Sequence, residues 1–197
     1  MDKDCRIILF GESHHSSRDR ESLESMLRKS LDAFKSTNPV LFFEMVDKPH
    51  NKKLLANLRR GNIEKLVAAS PWQDQLKARL EMFKKDNLPV VPIDMPYIRM
   101  YRIEDSYFYR LARDAYMSDV IDSYLKDNAV DLAIAVTGAL HTAPLEAGLR
   151  AMGYGRVSVD FLNNREELLE YKSSQDGRVL SPLLRSELSA AKASYRN

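Results

Sequence analysis

Apolar residues along this chain fall into two kinds of run with different spacing. Five short stretches, Cys5 to Phe10, Val40 to Glu44, Pro89 to Ile93, Leu132 to Thr137 and Val157 to Phe161, are rich in β-branched and aromatic residues. Several of them are apolar at successive positions. A strand with one face in water alternates apolar and polar residues, so uninterrupted runs predict strands covered on both faces, as in a mostly parallel sheet. Between the runs the spacing changes to three and four. Leu23, Met26, Leu27, Leu31 and Phe34 make one helical stripe, and Trp72, Leu76, Leu80 and Phe83 make another. Further helices are expected from Glu104 to Lys126 and from about Pro144 to Met152, which completes an alternation of strand and helix. The fold class is therefore α/β, with a mostly parallel central sheet of about five strands flanked by helices.

Two segments stand outside this order. Residues 50–70 read as a weaker pair of short helices broken at Arg60-Gly61-Asn62, placed as a small helical cap. Residues 180–197 read as a helical tail in which Leu183, Leu184, Leu188 and Ala191 form an apolar edge. That edge requires a partner, either the body of the domain or a second copy in a homodimer. With 197 residues, no internal repeat and no linker rich in Pro, Gly or Ser, the chain reads as a single domain over 1–197.

Composition then removes several function classes. At 44% hydrophobic and 29% charged, the chain has the make-up of an ordered globular domain. Thirty basic residues against 28 acidic ones leave a formal charge of +2, far from the basic footprint of a nucleic-acid binder. No apolar run approaches the roughly 20 residues of a membrane-spanning helix, so no membrane role is expected. Met1-Asp2-Lys3-Asp4-Cys5 leads directly into the first strand without the pattern of an export signal, and the cytosol is the expected compartment. Cys5 is the one cysteine, so no intrachain disulfide forms, and its apolar setting reads as core and not as a nucleophile.

Candidate chemistry appears where the strands end. In an open parallel sheet, ligands bind beyond the carboxyl ends of the strands, where loops and helix N-termini converge. Here the first strand runs into Gly11-Glu12-Ser13-His14-His15, the second ends in Glu44, the third in Asp94, and the fourth in Gly138-Ala139-Leu140-His141. Two of four histidines thus sit three residues after a glycine at a strand end. Glycine there is expected to permit a sharp exit, so that each imidazole turns back over the sheet edge. His14, His141 and Glu44 form a ligand set suited to Zn, Mn or Fe with positions left for water and substrate. Without metal, one histidine acts as general base with a carboxylate orienting it. Asp94, in Ile93-Asp94-Met95-Pro96, belongs either to this site or to a turn before the proline.

The helix near residue 115 has Met117, Val120, Ile121 and Tyr124 in one angular sector, and upstream the same sector carries Arg110, Arg113 and Asp114. Either an inward face turns charged at a site, or that end is solvated and Phe108, Leu111 and Ala115 are the buried side. No zincin helix, nucleophile elbow, Walker loop or dinucleotide glycine turn is present in the sequence.

Ile8-Leu9-Phe10-Gly11-Glu12-Ser13-His14, Phe42-Phe43-Glu44-Met45, Arg113-Asp114-Ala115-Tyr116-Met117 and Thr137-Gly138-Ala139-Leu140-His141, followed by Pro144 to Leu149, together resemble the superfamily that joins the TIKI/TraB proteins, the erythromycin esterases and the ChaN-like haem-binding proteins. The resemblance covers most of residues 6 to 152. It implies a site of His14, Glu44 and His141 with Glu12 and Arg113. In some members such a site performs metal-dependent peptide hydrolysis and in others metal-free ester hydrolysis. The chain departs from the pattern at His15, where those branches commonly have Asp or Gly. The resulting expectation is a hydrolase acting on a small-molecule ester or a peptide, with a divalent Mn, Zn or Fe ion or none, and with Arg113 stabilising an oxyanion. The alternative is a haem- or cofactor-binding protein of the ChaN-like type, in which Tyr97, Tyr101 or His141 supplies the axial ligand.

Overall fold

All five apolar runs become strands of one parallel sheet. The computed structural model describes residues 4–12, 17–44, 88–94 and 106–161, with positions 186 and 190 of the C-terminal segment. The elements among them are β1 (Arg6–Glu12), α1 (Ser17–Phe34), β2 (Pro39–Phe43), β3 (Val90–Pro92), α2 (Ser106–Asp127), β4 (Leu132–Gly138), α3 (Ala139–Ala151) and β5 (Val157–Phe161). The sheet order is β3-β2-β4-β1-β5, with every described pairing parallel. The expected cap at 50–70, the Trp72 helix and the tail at 180–197 lie outside the described residues, apart from positions 186 and 190. No helix among the described residues is long and apolar enough to cross a membrane.

Alternation along the strands explains why they carry no polar face. Ile8, Phe10, Leu41, Phe43, Ile134 and Val136 pack with Leu23 and Leu27 of α1 on one side of the sheet. Ile7, Leu9, Val40, Phe42, Ala133 and Ala135 pack on the other side with Met117 and Ile121 of α2 and Leu145 and Leu149 of α3. Both faces are core, so successive residues are apolar. Cys5 belongs to the second cluster, and burial pushes its thiol up to about 11, which makes it inert.

The expected fourth helix begins five residues early. Proline favours the first turn of a helix, which placed the start at Pro144, yet α3 opens at Ala139 and Pro144 lies inside it. The carbonyl deprived of its partner belongs to Leu140, a residue 73% exposed, so water can satisfy it.

One carboxylate ties the return from α1 to the sheet. Lys35 leaves the helix in the left-handed region at φ 43, and Asp131, just before β4, then accepts hydrogen bonds from Thr37 N at 2.8 Å, Thr37 Oγ1 at 3.1 Å and Asn38 N at 3.2 Å, and from Ser36 Oγ. Burial works to raise its pKa, but these donors outweigh it and hold the carboxyl down at about 2. A group depressed in the folded state stabilises above its unfolded pKa and loses that contribution as pH falls through the folded value. Asp131→Ala is therefore expected to cost about 1 kcal/mol at pH 7, the size of an exposed hydrogen-bond cluster. In urea unfolding, the gap between the native chain and the variant should narrow from pH 7 to pH 3. A gap that is constant with pH would show that the carboxylate charge is not what holds the turn.

Candidate functional site

Sheet order brings the chemistry together. β2, β4 and β1 are neighbours, so their carboxyl ends lie side by side. From β1 the chain passes through α1 on one face to β2, beyond β4. From β4 it passes through α3 on the other face to β5, beyond β1. Adjacent strands thus send their chains in opposite directions, and a crevice opens between them at this switch point.

Glu44 is placed by the period of two. Val40 and Phe42 face α2 and α3, so the residue two further on faces them as well. Its backbone N–H donates to Val136 O at 3.0 Å, which carries the parallel pattern one residue past β2. The Glu44 side chain is held at both oxygens. Oε2 accepts the Gly138 N–H at 2.7 Å, while Oε1 lies 2.6 Å from Arg113 Nη2 and 3.5 Å from His141 Nε2. Arg113 also grips Asp94 with two parallel bonds, Nε to Oδ1 at 2.9 Å and Nη2 to Oδ2 at 2.9 Å. One guanidinium on α2 therefore clamps the ends of β2 and β3. Asp94 is thereby held beside Glu44 by the same guanidinium.

The histidine is fixed from the next residue of α2. His141, third residue of α3 and 7% exposed, is hydrogen-bonded through Nδ1 to Asp114 Oδ1. With Asp114 ionised, Nδ1 carries the proton and Nε2 is presented towards Glu44. Asp114 is fully buried, and its Oδ2 has no hydrogen-bond partner among the described residues. Burial accordingly lifts its carboxyl above the usual range, against the lowering by His141 and Arg113. Burial also works to lower His141, but the bond to Asp114 and the charges of Asp114 and Glu44 outweigh it and raise the imidazole. The pair therefore binds a proton more tightly than either group does in water.

Of the expected site residues, Glu44, Asp94, Arg113 and His141 are brought together. Glu12 is buried at the end of β1, opposite Gly138 in the register. His14, Tyr97 and Tyr101 lie outside the described residues. Asp114 emerges as the orienter of His141; its place beside Arg113 in the charged sector of α2 was the signal for it. Glycine acts differently from expectation. Gly11 is an ordinary position of β1, and Gly138 closes β4 at φ −57 and ψ 142, a conformation open to any residue. His141 is turned inward by its position in the first turn of α3.

The residues present bear on a metal. His141 Nε2 and Glu44 Oε1 are separated by nearly the edge of a tetrahedral Zn site, about 3.3 Å, and a carboxylate on Nδ1 is the usual support for a metal-bound imidazole. Among the described residues, however, no group of three His, Cys, Asp or Glu side chains is arranged to hold an ion. Arg113 already neutralises Glu44 Oε1.

No protein-family model matches the chain, and no curated protein matches it in sequence. Solved structures do. ChaN of Campylobacter jejuni, whose structure shows cofacial haem binding, is similar with a TM-score of 0.54 at 12% identity, over 83% of each chain. The type III effector HopBA1 is similar with a TM-score of 0.48 at 17% identity, over 71% of this chain and 69% of that one. The chain thus has the ChaN fold, as the resemblance in its strand-end motifs implied.

Arg113 compensates two buried carboxylates, so Arg113→Met should destabilise the protein by about 3–5 kcal/mol, the range for breaking a buried pair. Arg113→Met/Asp94→Asn should recover part of that loss, because one stranded charge is removed with it. Chemical denaturation measures both. A loss below about 1 kcal/mol in the single variant would mean that the clamp does not organise the strand ends.

Proposed function

We propose that this chain is a binding protein of the ChaN type that holds haem, or a closely related metal-centred cofactor, over the crevice at the carboxyl edge of its sheet. The observation that carries this reading is the shared fold, extending over 83% of both chains, with a protein that binds haem. Charge supports it as well. Among the described residues, Glu44, Asp94 and Asp114 stand against Arg113 and His141, a balance that favours a cationic centre such as ferric iron. His141 Nε2 already faces Glu44 Oε1 at 3.5 Å, so iron would reach this imidazole only by displacing that contact. Tyr97 and Tyr101, three and seven residues beyond Asp94, are the groups that would hold the iron. Glu44, Asp94, Arg113, Asp114 and His141 would then supply the polar lining of the crevice beside it.

The His141–Asp114 couple favours a second reading, a hydrolase of the TIKI/erythromycin-esterase type. Asp114 fixes the tautomer, and Nε2 accepts a proton from water as that water attacks an ester or peptide carbonyl; the proton then passes to the leaving group. Arg113 serves this reaction by holding Glu44 in place, since its Nε and Nη2 are engaged with carboxylates.

One purified sample separates the two. Titration with haemin should give a saturable Soret shift that is lost in Tyr97→Phe/Tyr101→Phe and kept in Glu44→Gln, where the lost charge weakens affinity at most slightly. A panel of generic esters and short peptides, run beside it, should show no hydrolysis that depends on Glu44. Absence of the Soret shift together with turnover abolished by Glu44→Gln would overturn the binding reading and establish the hydrolase.

A further inference from the structure

The bond between His141 and Asp114 joins two helices, so it depends on how closely they pack. α3 approaches α2 at Gly148: a Cβ placed there would lie 2.6 Å from Ser118 Oγ and 3.2 Å from Ser118 Cβ. Asp114 and Ser118 are four residues apart on one face of α2, and the buried Ser118 hydroxyl donates back to Asp114 O at 2.9 Å. His141, Leu145 and Gly148 are spaced by four and three on α3, which places them on one face too. The Gly148–Ser118 contact therefore lies on the same helix–helix seam as the His141–Asp114 bond, one step further along it.

We propose that Gly148 is a positioning residue whose missing side chain sets the α2–α3 separation at which Asp114 holds His141. With a methyl group at Gly148, Ser118 Oγ can rotate away only by giving up its bond to Asp114 O. Ser118 Cβ cannot rotate away, and the helices must part by a few tenths of an ångström. Hydrogen bonds weaken steeply with distance, so the loss falls on the imidazole's anchor. This role is independent of whether the crevice binds haem or hydrolyses an ester.

Proton NMR of protein labelled with 15N-histidine tests it at fixed pH. The His141 Nδ1 proton should give a low-field, exchange-protected resonance, assigned by its absence in His141→Gln. Gly148→Ala should abolish that resonance or move it upfield. Gly148→Ala/Ser118→Gly transfers the glycine to the facing helix with little net change in helix propensity, and it should restore the signal. A glycine that merely stabilises the fold would lower the melting temperature and leave the resonance in place. An unaltered resonance in Gly148→Ala, or one still missing in the double variant, overturns the proposal. If Gly148→Ala does not fold, the double variant decides: folded with the resonance supports the role, and unfolded or without it refutes the role.

Discussion

Glu44 and Asp94 are buried against the Arg113 guanidinium, with Asp114 buried next to it in sequence, and the shape of the site follows from that charge. Taking an ionised carboxylate out of water costs several kcal/mol, and the cost is offset only by close, well-directed partners. Arg113 supplies them by spending Nε and Nη2 on Asp94 and sharing Nη2 with Glu44. The end of β2, the end of β3 and one position of α2 are thereby locked to one another. His141 comes next to this unit only because Asp114 follows Arg113, and the turn of a helix points adjacent residues about 100° apart. One residue then reaches the sheet edge and its neighbour reaches α3.

Much of this was legible beforehand, and the reason is periodicity. Strands buried on both faces have nothing to alternate, so Leu41-Phe42-Phe43 and Leu132-Ala133-Ile134-Ala135-Val136 announced a parallel sheet without any structure. A parallel sheet with helical crossovers places every strand's carboxyl end at one edge. The chemistry-bearing residues that interrupt the apolar runs, Glu44 and the Gly138 to His141 turn, therefore had to meet there. Order within the sheet was not legible, because it rests on which side each helix packs. That choice, with α1 on one face and α2 and α3 on the other, is what makes β2, β4 and β1 neighbours.

Asp114 illustrates what pattern reading leaves undecided. On the helical wheel it shared a sector with Arg113 and with buried Met117 and Ile121, yet Leu111 and Ala115 offered an equally apolar side. The structure buries both sides at this level of α2, Leu111 and Ala115 as well as Asp114, Met117 and Ile121, and among its described side chains the exposed ones, Ser123, Lys126 and Asp127, come in its last two turns. Where both sides of a helix are buried, apolar spacing gives no contrast from which to read direction. The start of α3 was obscured for a related reason. Pro144 is a strong local signal, but tertiary packing of Leu145 and Leu149 outweighs the single hydrogen bond that it removes.

The same negative charge bears on the two functional readings in opposite ways. General-base catalysis works best when the base is largely unprotonated at the working pH. The carboxylates at either side of His141 raise its affinity for a proton, so an enzyme built on this imidazole would carry it increasingly protonated near neutrality and gain activity as pH rises. A cationic ligand faces no such penalty. A cationic centre bound at the crevice, as proposed, would be attracted by the carboxylates, and a protonated His141 would stay hydrogen-bonded to Asp114. On the proposed reading the electrostatics weigh against proton abstraction by His141 and for a cationic ligand, and they do so through Asp114, the residue whose role was hardest to read from the sequence.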